Sequence, residues 1–265
     1  MNPFVYEYYQ KDNKHKNGKP AFFDVIMLSA ETDLTWPEIQ KKAPSLPRGW
    51  FELSRLQLSD RIGFLCDYWL KTLPYRPAIH QFVKFFFAKL DDVAVFLTQV
   101  DQQQPYLPEM VYSLKNNKNC FFRGRPPLGE ERNAYCYRQN KGLLPADFLA
   151  FVKIHNGFAK NADTGVLPAE NIWQCAQKLQ KYIVEKNKIV TAGGRAVNPA
   201  SLLPFYQEFN QNSFQCFYAD WYPQGDIGNV YFSGVDFTVS SYEKAQFLSD
   251  SLAFVSFLDW LVFYL

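Results

Sequence analysis

Leu144-Pro145-Ala146-Asp147-Phe148-Leu149-Ala150-Phe151-Val152-Lys153-Ile154-His155-Asn156-Gly157 reads as one short amphipathic helix with its start and its stop written into it. Pro145 has the fixed φ that suits the first helical position, and Asp147 favours the positive N-terminal end. Phe148, Phe151, Val152 and His155 recur at the spacing of one helical face. Gly157 supplies a left-handed stop after Asn156.

Upstream of this segment, Arg125-Pro126-Pro127-Leu128-Gly129-Glu130-Glu131 holds the strongest breakers in the middle of the chain and sets a boundary there. The sequence therefore divides into a mobile N-terminal segment over 1–20, an N-terminal α+β region over 21–127 and a C-terminal domain over 128–265. Within the first part, the basic stretch KDNKHKNGK at 11–19 reads as a surface loop and Phe22 to Leu28 as a strand. Ser59 is placed as the N-cap of a helix whose Ile62, Leu65, Cys66, Trp69 and Leu70 share a face. Pro74 and Pro77 end it, and a second helix follows with Ile79, Phe82, Val83, Phe86 and Leu90 apolar; the short link predicts antiparallel packing. Three β-rich runs come next, Val93 to Thr98, Met110 to Leu114 and Cys120 to Arg123, in the spacing of a short antiparallel meander.

Downstream of Gly157 the order of elements becomes informative. Gly165-Val166-Leu167-Pro168 is followed by a helix from Asn171 to Lys186 with Ile172, Cys175, Leu179 and Ile183 apolar. Phe214 to Asp220 and Asp226 to Phe232 flank an acidic turn. Tyr242 to Leu265 reads as a terminal helix containing Ser256-Phe257-Leu258-Asp259-Trp260-Leu261. With Leu144, Pro145, Phe148, Asn156 and Gly157 in the first helix and Trp260 in the last, residues 130–265 resemble the SUKH superfamily, the domain of a yeast cell-wall assembly regulator and of many bacterial immunity proteins. That family's recurring start is an L-P-x-x-aromatic helix ending in Asn-Gly. The resemblance implies a strongly bent antiparallel sheet with helices around it, and a non-catalytic module that recognises protein partners, often toxins. Three departures accompany it: the turn from Asp220 to Gly228 is longer and more aromatic than the family's, residues 185–202 look inserted, and residues 1–125 match no family pattern.

Composition supports a packed fold of this size. The 265 residues are 48% hydrophobic and 18% aromatic, with 25 Phe, 16 Tyr and 6 Trp, so the interior must be assembled from flat rigid rings. A net charge of +2 gives no field that would draw nucleic acid or an anionic membrane. The five cysteines are scattered without metal-ligand spacing, as expected in a reducing, cytoplasmic setting. The first twenty residues lack the apolar run of a secretory signal. The apolar end SLAFVSFLDWLVFYL, at 251–265, is shorter than a membrane span and holds Asp259, which favours a buried helix.

Few residues suggest chemistry. His15, His80 and His155 are the possible partners for a cysteine nucleophile, with His155 the most serious, though it lies on the apolar face of its helix. Asp220, Asp226 and Asp236 around one turn are the alternative: a metal-dependent hydrolase or nuclease. Ala192-Gly193-Gly194-Arg195 lacks the full phosphate-loop pattern and reads as a plain loop. Arg123, Arg125, Arg132 and Arg138, with Tyr135 and Tyr137, offer a basic aromatic patch for RNA or an acidic partner, with solvated loop charges as the ordinary reading. The favoured surface is the aromatic turn, because large rings there are not needed for the core. The sequence thus predicts an α+β protein that binds a protein partner through Asp220, Trp221, Tyr222, Asp226 and Tyr231, with no cofactor and no metal.

Overall fold

A computed structural model of the chain describes residues 1–9, 22–29, 31–115, 120–140, 142–161, 163–186, 190–192, 194–208, 212–242 and 252–265. The protein is α+β, with mainly antiparallel pairing, and has two compact units: Met1–Lys71 with His80–Pro126, and Thr72–Ile79 with Pro127–Leu265. Among the described residues, no helix is long and apolar enough to cross a membrane.

The first unit holds α1 (Pro3–Tyr9), β1 (Asp24–Leu28), α2 (Trp36–Lys42) and α3 (Arg48–Leu53). The helices α4 (Leu58–Thr72) and α5 (Pro77–Ala88) follow, then β2 (Leu90–Gln99), β3 (Leu107–Leu114) and β4 (Phe121–Gly124). The four strands pair antiparallel in chain order, with Val25 opposite Thr98, Val95 opposite Met110 and Tyr112 opposite Phe122. Two helical layers explain why β2 is buried along nearly its whole length. Tyr9 of α1 stacks on Phe96 at 4.2 Å and its hydroxyl donates to Glu109 at 2.8 Å. Trp69 of α4 meets Phe86 and Phe87 of α5 and donates its indole N–H to the Tyr112 hydroxyl at 3.3 Å.

Two expectations change in this unit. Pro3–Tyr9, within the segment expected to be mobile, forms a helix whose Val5 and Tyr9 are buried; apolar side chains on one face gave it something to pack against. The basic stretch at 11–19, with His15, lies outside the described residues. Ser59 is inside the first turn of α4 instead of capping it, and its hydroxyl donates to Asp60.

The second unit holds α6 (Glu130–Gln139), α7 (Ala146–Phe151), β5 (Phe158–Lys160), β6 (Gly165–Val166) and α8 (Ala169–Glu185). It continues with β7 (Thr191–Ala192), β8 (Arg195–Ala196), β9 (Leu202–Gln207), β10 (Phe214–Tyr218), β11 (Asn229–Ser233), β12 (Thr238–Val239) and α9 (Phe257–Tyr264). Strand order is β5-β6-β9-β10-β11-β12-β7-β8, antiparallel except between β12 and β7. All five residues of β10 are buried because both faces of the sheet are covered. Phe214, Cys216 and Tyr218 join Leu179 and Ile183 of α8 in one core, whereas Phe217 stacks with Phe205 and meets Phe148 of α7 and Phe257 of α9. Alternation by two therefore sends one strand's side chains to two covered faces, and the strand is apolar throughout except for Gln215.

The helix that begins at Leu144-Pro145 is shorter than its sequence pattern. It ends at Phe151 and a turn carries the chain to Asn156, with Gly157 at φ 106°. Leu144, Phe148, Phe151, Val152 and His155 are all buried. Asn156 does more than precede the stop. Its side-chain oxygen accepts from the Ala169 backbone N–H at 2.8 Å, and its NH₂ donates to Glu170 at 2.7 Å. It thereby starts α8 from outside the helix, satisfying an N–H that has no partner within it. Gly165, at φ 82°, has no room for a Cβ, which would lie 2.4 Å from the Phe158 carbonyl oxygen. The terminal helix spans only Phe257–Tyr264; residues 243–251 lie outside the described residues, and Phe254 bridges Asn229 in extended form. The apolar end is largely buried through Phe257, Leu258, Trp260, Leu261 and Tyr264.

Asn156→Ala is expected to lower the unfolding free energy by about 1–2 kcal/mol, since it strands the Ala169 N–H and the Glu170 carboxylate together. Asn156→Asp keeps the acceptor but sets a second carboxylate against Glu170, so its loss at pH 7 is expected to shrink as acid neutralises the pair. Urea denaturation of both variants at pH 7 and pH 4.5 checks this, and two wild-type curves would contradict it.

Candidate functional site

The candidate surface is the turn joining β10 to β11, and its base is a buried polar lock. Gln215 on β10 and Asn229 on β11 are 2% and 0% exposed. A buried carboxamide must find partners, and each of these does. Gln215 donates to the Asn229 side-chain oxygen at 2.8 Å and to the Leu252 carbonyl at 2.9 Å; Asn229 donates to the Ser256 carbonyl at 2.9 Å. The Asn229 and Phe254 backbones exchange two further bonds. The lock delivers the chain to Ser256, whose hydroxyl accepts from the Asp259 N–H and caps α9.

Asp147 completes the cap. Its carboxylate is 2% exposed and accepts from the Leu258 N–H of α9 at 3.1 Å and from the Phe148 N–H at 2.9 Å. Arg76 donates to the Ser256 hydroxyl at 2.8 Å and lies 3.6 Å from Asp259. Burial pushes the Asp147 carboxyl up to about 6; the two N–H bonds and the Arg76 charge pull it down, and Asp226 in the neighbouring turn adds to the rise.

The turn itself is closed by main-chain bonds. Tyr218 N–H reaches the Gly228 carbonyl, Gly228 N–H the Trp221 carbonyl, and Trp221 N–H the Tyr218 carbonyl. Trp221 folds back: its ring lies 5.3 Å from Tyr242 and covers Gly228, where an added Cβ would come within 2.4 Å of it. Tyr222 points outward, 55% exposed. Asp220 accepts from the Ser201 hydroxyl at 2.7 Å, and Asp226 from the Ile227 N–H at 2.8 Å. Tyr231 is not part of this cluster. It lies opposite Gln215, toward the far end of the hairpin, and donates to Glu208 at 3.1 Å.

Of the five predicted contact residues, Tyr222 is thus the exposed aromatic, Asp220 and Asp226 are bonded within or beside the turn, Trp221 is a structural ring, and Tyr231 lies elsewhere. Trp221 is short of partners only when read in sequence; the missing signal was Gly228, whose lack of a side chain makes the seat. Asp236 accepts from Ser233 in its own turn. No group of three His, Cys, Asp or Glu able to hold a metal occurs among the described residues. His155 is buried and stacks on Phe158 at 5.5 Å.

Compared with known proteins, the chain matches no family model, no curated protein and no solved structure. The cysteines are free, and burial pushes the thiols of Cys66, Cys136, Cys175 and Cys216 up, away from the thiolate form that a nucleophile needs. Of the basic aromatic run, Arg123 in the first unit is taken by Glu109 at 3.3 Å and by the Tyr8 ring, while Tyr135 and Tyr137 in the second are exposed on α6. Ala192 and Arg195 sit in the short β7–β8 hairpin, whose Gly193 lies outside the described residues.

The Asp147 carboxyl gives a pH test with a definite sign. Its folded value of about 6 lies above its ordinary 3.8, so its ionisation opposes folding, and the stability it forfeits at neutral pH returns as the pH falls through 6. Between pH 7.5 and 4.5 wild type is expected to gain about 2 kcal/mol relative to Asp147→Asn. Urea denaturation at both values measures the difference; an unchanged gap would refute a raised carboxyl.

Proposed function

We propose that the second unit is a SUKH-type module that binds a protein partner without catalysing a reaction, either neutralising a toxin as an immunity-type protein or regulating the partner. The observation that carries this reading is the outward Tyr222 on a rigidly closed turn. Main-chain bonds among Tyr218, Trp221 and Gly228 close the turn, Trp221 is seated over Gly228, and the lock of Gln215 and Asn229 fixes the strands below. A ring held out on a pre-organised base loses little freedom on binding, and such rings are common interface anchors.

The order of elements supports the family reading. A Leu-Pro helix reaches Asn156-Gly157, a small hairpin follows, α8 crosses one face of the sheet, and a terminal helix with buried Trp260 covers the other. Asn156, as external cap of α8, supplies a physical reason for the Asn-Gly ending. The cytoplasmic setting belongs to the same proposal and rests on the five free cysteines.

The test is capture of a partner on tagged full-length protein from the source cell's extract, followed by calorimetry with the purified partner. Tyr222→Ala is expected to weaken the complex about tenfold or more while leaving the melting temperature unchanged. Unaltered affinity would remove the turn from the interface. A melting temperature raised by Mg²⁺, Mn²⁺ or Zn²⁺ in the absence of any partner would favour the hydrolase alternative instead.

A further inference from the structure

At the end of the β9–β10 hairpin away from Tyr222, helix α8 stands over the sheet and leaves a groove of about 480 Å³, within the size range of ligand sites. Its floor is apolar, built from Leu167, Cys175, Leu179 and Phe214; its rim carries Asn171, Gln174, Lys178 and Tyr182 from the helix and Gln207 and Asn212 from the strand side. Asn171, Gln174 and Lys178 follow one another at three and four residues, so they line one edge of the helix.

The chemistry of this rim is selective. Four carboxamides present both donors and acceptors, the set that matches the N–H and C=O groups of an extended main chain. Lys178 is the one charged residue among the described residues lining the groove. The two carboxylates nearest in sequence are engaged outside it: Glu170 bonds Asn156 at 2.7 Å and Glu208 accepts from Tyr231 at 3.1 Å. Among the described residues no acidic side chain lines the rim to offset the ammonium, so the groove favours an anionic group beside apolar contacts.

We propose that this groove binds an extended acidic peptide segment of a protein partner, with its main chain held by the carboxamides and a carboxylate on Lys178. The inference rests on the reading of the second unit as a binding module, and names the chemistry of what it binds. It adds a second contact surface, separate from the aromatic turn.

The test uses a displayed library of random dodecapeptides selected on the full-length protein. Enriched sequences are expected to carry an excess of Asp and Glu over the unselected library. Synthetic copies, titrated by fluorescence anisotropy, should bind wild type with an affinity that falls as salt rises, because the pairing with Lys178 is near the surface. Lys178→Glu should weaken them about tenfold or more, and Asn171→Ala with Gln174→Ala should weaken them without changing the salt dependence. Lys178 is exposed on α8, so these variants should keep the wild-type melting temperature. Absence of acidic enrichment, or acidic peptides whose binding survives Lys178→Glu, would overturn the proposal. Peptides lost with Tyr222→Ala but kept with Lys178→Glu would overturn the groove and leave the binding-module reading standing.

Discussion

The second unit depends on two buried carboxamides, Gln215 of β10 and Asn229 of β11, bonded to each other diagonally across the strand pair. Their neighbours on the same strands are Phe, Cys, Val and Tyr, any of which would cost less to bury. What the amides add is direction. An apolar pair would hold the sheet together but would give up the side-chain bonds to the carbonyls of Leu252 and Ser256, each worth about 1 kcal/mol. With the amides in place, the strand-like approach of Phe254 is fixed, Ser256 is set as a cap, and α9 can begin only where Asp147 waits for the Leu258 N–H. The aromatic core between α7, α9 and the sheet then assembles around Phe148, Phe205, Phe217, Phe257 and Trp260. The rings provide the free energy of burial, and the polar lock decides the single arrangement in which they are buried.

The elements with strong local signals were legible in the sequence. The meander of the first unit follows from its β-branched and aromatic runs, and the apolar faces of α4, α5 and α8 follow from their spacing. The Asn156-Gly157 stop was also visible, because a positive φ at glycine is a local property. Less visible was anything decided at a distance. The helix α1 forms because Val5 and Tyr9 have a sheet to cover; a seven-residue helix has little stability of its own. The terminal helix is shorter than its apolar run because Asn229 pairs with Phe254 and takes that residue into extended geometry.

The candidate site shows the same division. A turn rich in Trp, Tyr and Pro was recognisable as a place to look, and Tyr222 does stand out from it. Which ring points outward was decided by Gly228, directly beneath Trp221. Tyr231 was grouped with the turn by closeness in sequence, yet a strand carries its residues away from the turn at roughly 3 Å per step. The groove beside α8 had no sequence signal, since Asn171, Gln174, Gln207 and Asn212 are ordinary surface residues until the helix and the hairpin bring them to one opening.

Native-state amide hydrogen exchange tests the central role of the lock most directly. If Gln215 and Asn229 govern the assembly of the second unit, the backbone N–H groups of Asn229, Phe254 and Leu258 exchange only through its global unfolding, with protection equal to that of the β10 interior. Exchange of Phe254 and Leu258 at the rate of an exposed turn, while β10 stays protected, would mean that the last helix opens without disturbing the sheet, and would contradict that role.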